Sequence, residues 1–344
     1  MREWQALVYI LGTIAALFAV RVRSLPGVVD LGILLISLYT LLWAIRHEFD
    51  LARAKHVPVA VLVGKGSDVG ETMWSEVLQA MRSWGFDADE YRRRFQLERD
   101  KMFLHHEKVL PATQDAWLEM ARDFRQRLER LAGALREGRR IFHVFLNAPA
   151  TLCMGLGAGL GTAHEVVVHH LLPGTWGGPY HAVFDVSSLR RANPRGMHIL
   201  QEPVTGEFKY VCGEGDPGKA ANLYLSIFLG SHDPRPDVNR LLQERLRSGE
   251  SAGVFHIVKK ADRLLDFDDD WILCEREIRT LIAAQISKCE TRRVHLFLNL
   301  PVALGFLLGM GIKHFSAITI YNWEPTEGYS AVLPLEKLSR TGAI

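Results

Sequence analysis

The sequence predicts an N-terminal transmembrane helical hairpin followed by an α/β protein made of two tandem Rossmann-like units with mainly parallel sheets. Three observations support this prediction. Residues 6–20 and 31–45 contain no charged side chain. The segment HVFLNAPATLCMGLGAGLG at 143–161 reappears as VHLFLNLPVALGFLLGMGI at 294–312. Apolar strand patterns alternate with helical patterns in both halves of the chain, which is typical of parallel sheets with helical crossovers.

The hairpin is predicted from two spans, at about 4–20 and 28–45. Each span is close to the ~17-residue minimum for crossing a bilayer, and Trp4 and Trp43 suit the two membrane interfaces. A cleaved signal peptide with one anchor and a buried pair of core helices are the alternatives, but AVRVRS after the first span is a poor cleavage site. Basic residues flanking the spans mildly favour both ends in the cytoplasm. A stripe of small residues at Gly12, Ala15, Ala16 and Ala19 suits helix contact in lipid.

The glycine-rich segment superficially resembles a dinucleotide-binding loop. The Rossmann fingerprint places its glycines directly after a strand. Here Asn147 ends the strand, Pro149 is suited to the first position of a helix, and the glycines follow later. The spacing also fails, because a third glycine would be required at Leu160. We therefore interpret the glycines as helix exits and close-packing positions.

The repeat extends well beyond the glycines. Asn147 and Pro149 match Asn299 and Pro301, and the same separation relates His143 to His295. The match continues from EVVVHH at 165–170 to AITIYN at 317–322, and then from YHAVF at 180–184 to YSAVL at 329–333. We therefore predict three regions: a hairpin at 1–50, a first unit at 56–205 and a second unit at 206–344. A Gly- and Pro-rich join falls near 203–220.

Composition restricts the classes of function. The chain has 344 residues, 48% of them hydrophobic, and a formal net charge of +2. This length accommodates two modest domains, and the weak charge argues against non-specific nucleic-acid coating, so no DNA or RNA duplex is expected as a partner. The four cysteines form no CxxC motif, and we expect reduced, buried thiols in a cytosolic domain: Cys153, Cys212, Cys274 and Cys289.

Candidate ligand-binding residues lie where strands end and helices begin. In doubly wound sheets ligands bind beyond these carboxyl ends, where helix N-termini present partial positive charge. Two such units facing each other would form an anion site of twofold character, suited to a cyclic oligonucleotide. Asn147 and Asn299 have an alternative role as helix caps. The candidates from these loops are Lys65, Gly66, Ser67, Asn147, Thr151, Ser231, His232 and Asn299.

The paired HxFLN-P…G-G segments, each followed by a strand ending in VHH or IYN, a Tyr and a last strand, resemble the SAVED domain. The resemblance covers about residues 56–340. It implies two fused CARF-like units that sense a cyclic oligonucleotide, with a cyclic trinucleotide as the expected ligand, although the sequence does not distinguish two, three or four nucleotides. It also places His169 and Tyr321 where they would stack on or hydrogen-bond a base. His143 and His295 lie inside apolar strands and are expected to be core histidines.

With the hairpin, the sequence resembles the transmembrane effector class of CBASS antiphage systems. This resemblance implies a ligand made by a cognate nucleotidyltransferase, ligand-induced homo-oligomerisation, and disruption of the bacterial inner membrane leading to abortive infection. The protein would be multi-pass, with its SAVED domain in the cytoplasm and the lipid bilayer as a partner.

An enzymatic function is not expected, and neither is a cofactor or metal. GKGSDVG at 64–70 is not a P-loop, because its lysine comes too early, and the chain has no HExxH, GxSxG or CxxC motif. The carboxylates of LDFDDDW at 265–271 precede a helix, where they favour its dipole. Two alternatives stay open: a membrane-anchored enzyme that degrades or processes cyclic nucleotides, and a scaffold that binds no nucleotide.

Overall fold

The computed structural model describes residues 54–135, 139–161, 164–171, 180–185, 208–212, 220–230, 233–259, 271–288, 293–312 and 317–339. The predicted hairpin lies outside these residues. Within them, no helix combines the length and the apolar character needed to cross a bilayer. Both sheets belong to one compact unit, Lys55–Arg136 with Arg140–Ile344.

The first sheet has five strands in the order β2-β1-β3-β4-β5, and only β5 is antiparallel to its neighbour. β1 reads KHVPVAVLV, and its last seven residues are buried, as expected for a central parallel strand. The strands are β1 (Lys55–Val63), β2 (Phe103–His106), β3 (Arg140–Asn147), β4 (Glu165–Leu171) and β5 (Tyr180–Asp185).

The helices of the first half are α1 (Ser67–Arg82), α2 (Ala88–Phe95), α3 (Arg99–Met102), α4 (Gln114–Ala134) and α5 (Ala150–Leu160). The chain moves from β1 outward to β2, and then back through β3 to β4. Because such crossovers are right-handed, α1 covers one face of the sheet, while α4 and α5 cover the other. We call the α1 side the outer face.

The second sheet has six strands in the order β11-β10-β9-β7-β8-β6, with antiparallel strands at both edges. The strands are β6 (Phe208–Cys212), β7 (Asn222–Phe228), β8 (Ala252–Lys259), β9 (Arg293–Asn299), β10 (Ile318–Glu324) and β11 (Gly328–Pro334). The helices are α6 (Arg235–Arg247), α7 (Trp271–Lys288), α8 (Val302–Ile312) and α9 (Glu336–Ser339).

The two sheets repeat each other in register. Phe142 pairs with Val166 between β3 and β4, and the matching residues Val294 and Ile318 pair between β9 and β10. A β-bulge after Val168 in the first sheet has its counterpart after Ile320 in the second. The repeat seen in the sequence is therefore a repeat of strand order, register and irregularity. β6 is an addition, because it extends the second sheet beyond β8.

The repeated glycines let α5 and α8 pack backbone against backbone. A Cβ added at Gly157 would lie 2.0 Å from the carbonyl oxygen of Phe306, and one added at Gly309 would lie 1.9 Å from that of Met154. The two contacts are equivalent under the repeat, so the helices meet reciprocally. This confirms close packing as the role of these glycines, and Gly161, with φ of +57°, ends α5.

One continuous hydrophobic core joins the two sheets. Trp117 on α4 and Trp271 on α7, which precede the repeated strands in sequence, are among the largest fully buried side chains. Cys153 and Cys274 are buried free thiols, as expected. Cys289 and the side chain of Cys212 lie outside the described residues.

Several boundaries differ from the sequence prediction. The sequence predicts the first helix at about Val69–Trp84, with Asp68 as a candidate N-cap, but α1 begins at Ser67 and its N-cap is Gly66. Glycine has no side chain that could mark a helix start, so the sequence pattern places the start of this helix two residues too late in the chain. The short elements α2, α3, β2 and β6 were also missed. The basic run Arg92–Arg94, which is typical in sequence of a solvated face, lies on α2, where Arg92 and Arg94 form exposed ion pairs with Asp89 and Glu90.

Candidate functional site

The helices α5 and α8 begin next to each other. A Cβ at Gly305 would lie 3.0 Å from the carbonyl oxygen of Ala150, and Thr151 Oγ1 donates a 3.1 Å hydrogen bond to the carbonyl oxygen of Tyr321 on β10. Residues 147–150 and 301–302 are half-buried, so this region is partly open to solvent. We call residues 147–150 together with 299–302 the paired helix start.

The paired helix start presents backbone N–H groups from the first turns of two helices. The first intrahelical bonds run from Cys153 N to Pro149 O and from Gly305 N to Pro301 O. The N–H groups before these bonds have no acceptor within their helix, and they point away from the helix body. Two helices that begin side by side add their partial positive charges at one place.

The predicted capping role is not observed for Asn147. The N-cap of α5 is Pro149, and no side chain accepts a hydrogen bond there. Asn147 is half-buried and pairs with Leu62 at the carboxyl edge of the first sheet. The side chain of Asn147 therefore lies at this edge of the sheet and does not cap α5.

The loop after β1 carries the exposed candidates Lys65, Gly66 and Ser67. Gly64, with φ of +74°, turns the chain, and its N–H donates to the carbonyl oxygen of His106 over 2.9 Å. His105 Nε2 donates to the carbonyl oxygen of Lys65, also over 2.9 Å. The backbone of the loop is thus fixed by β2, while the Lys65 ammonium stays in solvent at the carboxyl edge of the sheet.

The loop after β7 is held differently. The N–H groups of Leu229 and Gly230 both donate to the carbonyl oxygen of Asn299, over 2.7 and 3.0 Å. A Cβ at Gly230 would overlap the Asn299 side chain, so glycine is needed there. Asn299 therefore connects this loop to the start of α8. The candidates Ser231 and His232 lie outside the described residues.

Three candidates use their side chains inside the protein. Thr151 is buried, and its hydroxyl links α5 to β10 as described. His169 and Tyr321 are buried, and they stack on Phe145 and Phe297 with ring centroids 4.1 and 4.5 Å apart. Of the candidates, Asn147 and Asn299 lie at the paired helix start, and the His169 and Tyr321 rings lie in the packing of their own sheets.

Sequence reasoning missed a row of histidines across the first sheet. His56 Nδ1 is hydrogen-bonded to His143 Nε2 over 2.8 Å, and His143 Nδ1 to His169 Nε2 over 2.9 Å. Burial, followed by the neighbouring His169, lowers the pKa of His143 to about 2, and burial lowers the pKa of His169 to about 3. The prediction that His143 is a core histidine is confirmed. The spacing of three histidines on separate strands leaves no local sequence signal.

The second sheet has a corresponding row with different residues. His295 Nδ1 is hydrogen-bonded to the Tyr321 hydroxyl over 3.0 Å, and its Nε2 to Asn222 Oδ1 over 3.3 Å. His295 is half-buried and both of its ring nitrogens are bonded, as expected of a structural histidine. Within the described part of the chain, no group of three or more His, Cys, Asp or Glu side chains is arranged to hold a metal ion.

Comparisons with solved structures give low similarity. At 12% identity and a TM-score of 0.49, the chain is similar to the Acinetobacter baumannii Cap4 SAVED/CARF-domain receptor with the cyclic trinucleotide 3'3'3'-cAAA, and equally to the same receptor with 2'3'3'-cAAA. In both, 83% of this chain aligns with 52% of the receptor. The Moraxella osloensis Cap4 receptor gives 12% identity and a TM-score of 0.40, covering 67% of this chain and 47% of the receptor.

The chain thus spans about half the length of these receptors. A comparison with curated protein sequences gave no match. A family model does match part of the second unit: residues 259–335, from the end of β8 through β11, match the SAVED domain, the SMODS-associated and fused to various effectors sensor domain.

Proposed function

We propose that the protein is a CBASS effector that binds a cyclic oligonucleotide and is not an enzyme. The observation that carries this proposal is the match of residues 259–335 to the SAVED sensor domain. The first sheet repeats the strand order and register of the matched region. This supports a sensor made of two units, as the duplicated sequence predicted.

The ligand is proposed to lie over the paired helix start. Its phosphates would accept hydrogen bonds from the free N–H groups of α5 and α8, and from the side chains of Asn147 and Asn299. Lys65 would supply a cation from the first unit. The ring is proposed to be a cyclic trinucleotide made by a cognate nucleotidyltransferase, in line with the ligands named for the two Acinetobacter receptor structures.

The output is proposed to be disruption of the bacterial inner membrane by the hairpin at 1–50. Two short spans without a mid-membrane charge form no obvious pore in one copy, so several copies must assemble. Ligand-induced association of the cytoplasmic units would raise the local concentration of hairpins, and contacts along Gly12, Ala15, Ala16 and Ala19 would then suffice. Loss of membrane integrity would cause abortive infection.

Binding is tested by titrating cyclic di-, tri- and tetranucleotides into the purified full-length chain. We expect one cyclic trinucleotide to bind, and Lys65→Ala to weaken it about tenfold, since a hydrogen bond to a charged group contributes about 1.5–3 kcal/mol. Lys101→Ala is the matched control, because Lys101 lies on α3, before β2 begins, at the opposite edge of the sheet. Equal affinities of the two variants would remove Lys65 from the site, and no binding of any ring would favour a scaffold.

The membrane function is tested by dye release from liposomes. We expect release by the full-length chain only when the cyclic trinucleotide is added. Ala15→Ile with Ala19→Ile should keep ligand binding and blunt release, because larger side chains hold the helices apart. Equal release with and without ligand would contradict the mechanism. Recovery of cleaved ligand after incubation would instead favour the alternative, an enzyme that processes cyclic nucleotides.

A further inference from the structure

A pocket of about 470 Å³ lies on the outer face of the first sheet, between the end of α1 and strands β4 and β5. Its volume falls in the range of small-molecule sites. Right-handed crossovers place α1 and α5 on opposite faces of this sheet, so the pocket is separated from the α5–α8 contact by the sheet itself. The pocket is lined by Gln79, Ala80, Ser83, Trp84, His169, Tyr180, His181 and Ala182.

Two lining residues have buried polar atoms without a partner. His169 Nδ1 and the Tyr180 hydroxyl make no hydrogen bond to any described residue, although each atom is almost fully shielded from solvent. His169 itself is 2% exposed. A buried polar atom left unpaired costs about 1–3 kcal/mol. Both residues line the same pocket, on neighbouring strands, and each has one polar side-chain atom that lacks a partner among the described residues.

The histidine row explains how His169 Nδ1 is presented. Each neutral imidazole has one donor and one acceptor nitrogen. If His143 donates to His56, it must accept from His169 Nε2, and His169 Nδ1 is then an acceptor. If all bonds in the row reverse, His169 Nδ1 becomes a donor. The row therefore fixes the His169 ring while letting its free nitrogen match either an N–H or a lone pair of a ligand.

The second sheet has an equivalent aromatic arrangement, in which His295 bonds both to the Tyr321 hydroxyl and to Asn222. Phe145 contacts Tyr180 edge-to-face at 5.2 Å, and the equivalent Phe297 contacts Tyr329 at 5.0 Å. At the position of His169 the second sheet has Tyr321, whose hydroxyl reaches His295. Tyr321 therefore completes its own row, whereas His169 leaves one nitrogen for a ligand. Of these two equivalent positions, the first has a buried ring nitrogen without a partner among the described residues.

The lining also restricts the charge of the ligand. No Lys, Arg, Asp or Glu is among the described residues that line the pocket. Burial keeps the His169 ring neutral, and burial, with nearby Glu76 adding to it, raises the pKa of the Tyr180 hydroxyl so that it too is neutral. The described lining therefore offers a phosphate no lysine or arginine side chain. Trp84 adds an aromatic wall that is 38% exposed, suited to a planar ring.

We propose that this pocket is a second ligand site, which binds an uncharged nitrogen heterocycle of nucleobase or nucleoside size through His169 Nδ1 and the Tyr180 hydroxyl. The site is independent of the proposed cyclic-oligonucleotide site, because it lies on the opposite face of the first sheet. A donor and an acceptor on one edge of the heterocycle bond the two buried atoms. The remaining ring surface contacts Trp84.

The test is isothermal titration of adenosine, guanosine and uridine into the full-length chain. We expect at least one nucleoside to bind, Tyr180→Phe to weaken it about 3- to 10-fold, and His169→Tyr to abolish binding, because tyrosine closes the row as in the second sheet. Tyr329→Phe is the matched control at the equivalent position and should leave nucleoside affinity unchanged. Tyr180→Phe removes one oxygen without changing volume, so its result does not depend on tolerance of His169→Tyr.

Three results would overturn the proposal. No binding of any nucleoside at millimolar concentration would mean that ordered water alone satisfies the two atoms. Equal loss in Tyr180→Phe and Tyr329→Phe would place the ligand elsewhere. Tighter binding of the 5'-monophosphate than of its nucleoside would contradict the argument from charge. Cyclic-trinucleotide affinity, measured on Tyr180→Phe, should be unchanged, which separates failure of this site from failure of the proposed function.

Discussion

Alanine substitution at four helical glycines should change the free energy of unfolding by amounts that depend on which atoms lie next to the new Cβ. Gly157→Ala places a Cβ 2.0 Å from the Phe306 carbonyl oxygen, whereas about 3.4 Å is ordinary contact. Because the obstacle is backbone, α5 and α8 must separate by roughly 1 Å along their contact. Overpacking of this kind costs about 1–3 kcal/mol and sometimes more, against a gain of about 1 kcal/mol in helix propensity. A backbone obstacle favours the upper end of this cost, so we expect a net loss of about 2 kcal/mol.

The other glycines calibrate this effect. Gly133→Ala on α4 meets nothing within 4 Å and should stabilise the protein by about 0.4–1 kcal/mol. Gly159→Ala meets only the Ala121 carbonyl oxygen at 3.8 Å and should be close to neutral. Gly309→Ala should behave like Gly157→Ala. Urea unfolding of the full-length chain, followed by tryptophan fluorescence, measures the series. A Gly157→Ala variant as stable as Gly133→Ala would refute the backbone contact between α5 and α8.

Three further predictions concern buried polar groups. Thr151→Val removes the hydroxyl that bonds the Tyr321 carbonyl, and it should lower the free energy of unfolding by about 1–2 kcal/mol; Thr113→Val, at a helix N-cap where no side chain makes a capping bond, should change it little. Arg279→Met leaves the buried Glu275 carboxylate without its 2.8 Å partner and should cost about 3–5 kcal/mol in urea unfolding, whereas Arg92→Ala, in an exposed pair, should cost at most about 0.5 kcal/mol. In the folded state the pKa values of His143 and His169 are lowered to about 2 and 3, so the unfolded state binds protons more readily. The contribution of these two histidines to stability is therefore present above pH 6.5 and is lost as the pH falls toward the folded-state values. At pH 5 the loss is about 2 kcal/mol for each histidine. Unfolding measured at pH 7 and pH 5 should therefore show a smaller loss for His169→Tyr than for the unmodified chain, and an equal loss would show that His169 is not buried neutral.

The sequence predicted the repeated fold because its signals are local. Strands such as β1 are continuous apolar runs, and the Asn-x-Pro pattern marks where β3 ends and α5 begins. The duplication then reinforced each assignment, since two copies supported the same interpretation. β2 and β6 have only four and five residues, and strands this short carry too little periodicity to be recognised.

The candidate site could be predicted only in part. The position of Lys65 and Asn147 at the carboxyl edge of the first sheet was predictable, because parallel strands place their carboxyl ends at one edge. The use of Thr151 and Tyr321 inside the protein was not predictable, since their contact spans 170 positions of sequence. The histidine row was missed for the same reason: His56 and His143 are 87 positions apart, and only the strand register brings their rings together.

The reciprocal contact of α5 and α8 has a consequence for how the two units can change. In a homodimer with twofold symmetry, one codon determines both copies of a residue, so each substitution acts twice across the axis. Here both copies lie on one chain and mutate independently. At the glycine contact each copy still constrains the other, because neither Gly157 nor Gly309 tolerates a side chain. Away from the glycine contact the units have diverged, since the position held by His169 in the first unit is held by Tyr321 in the second. A single covalent molecule can therefore present two surfaces that are not identical.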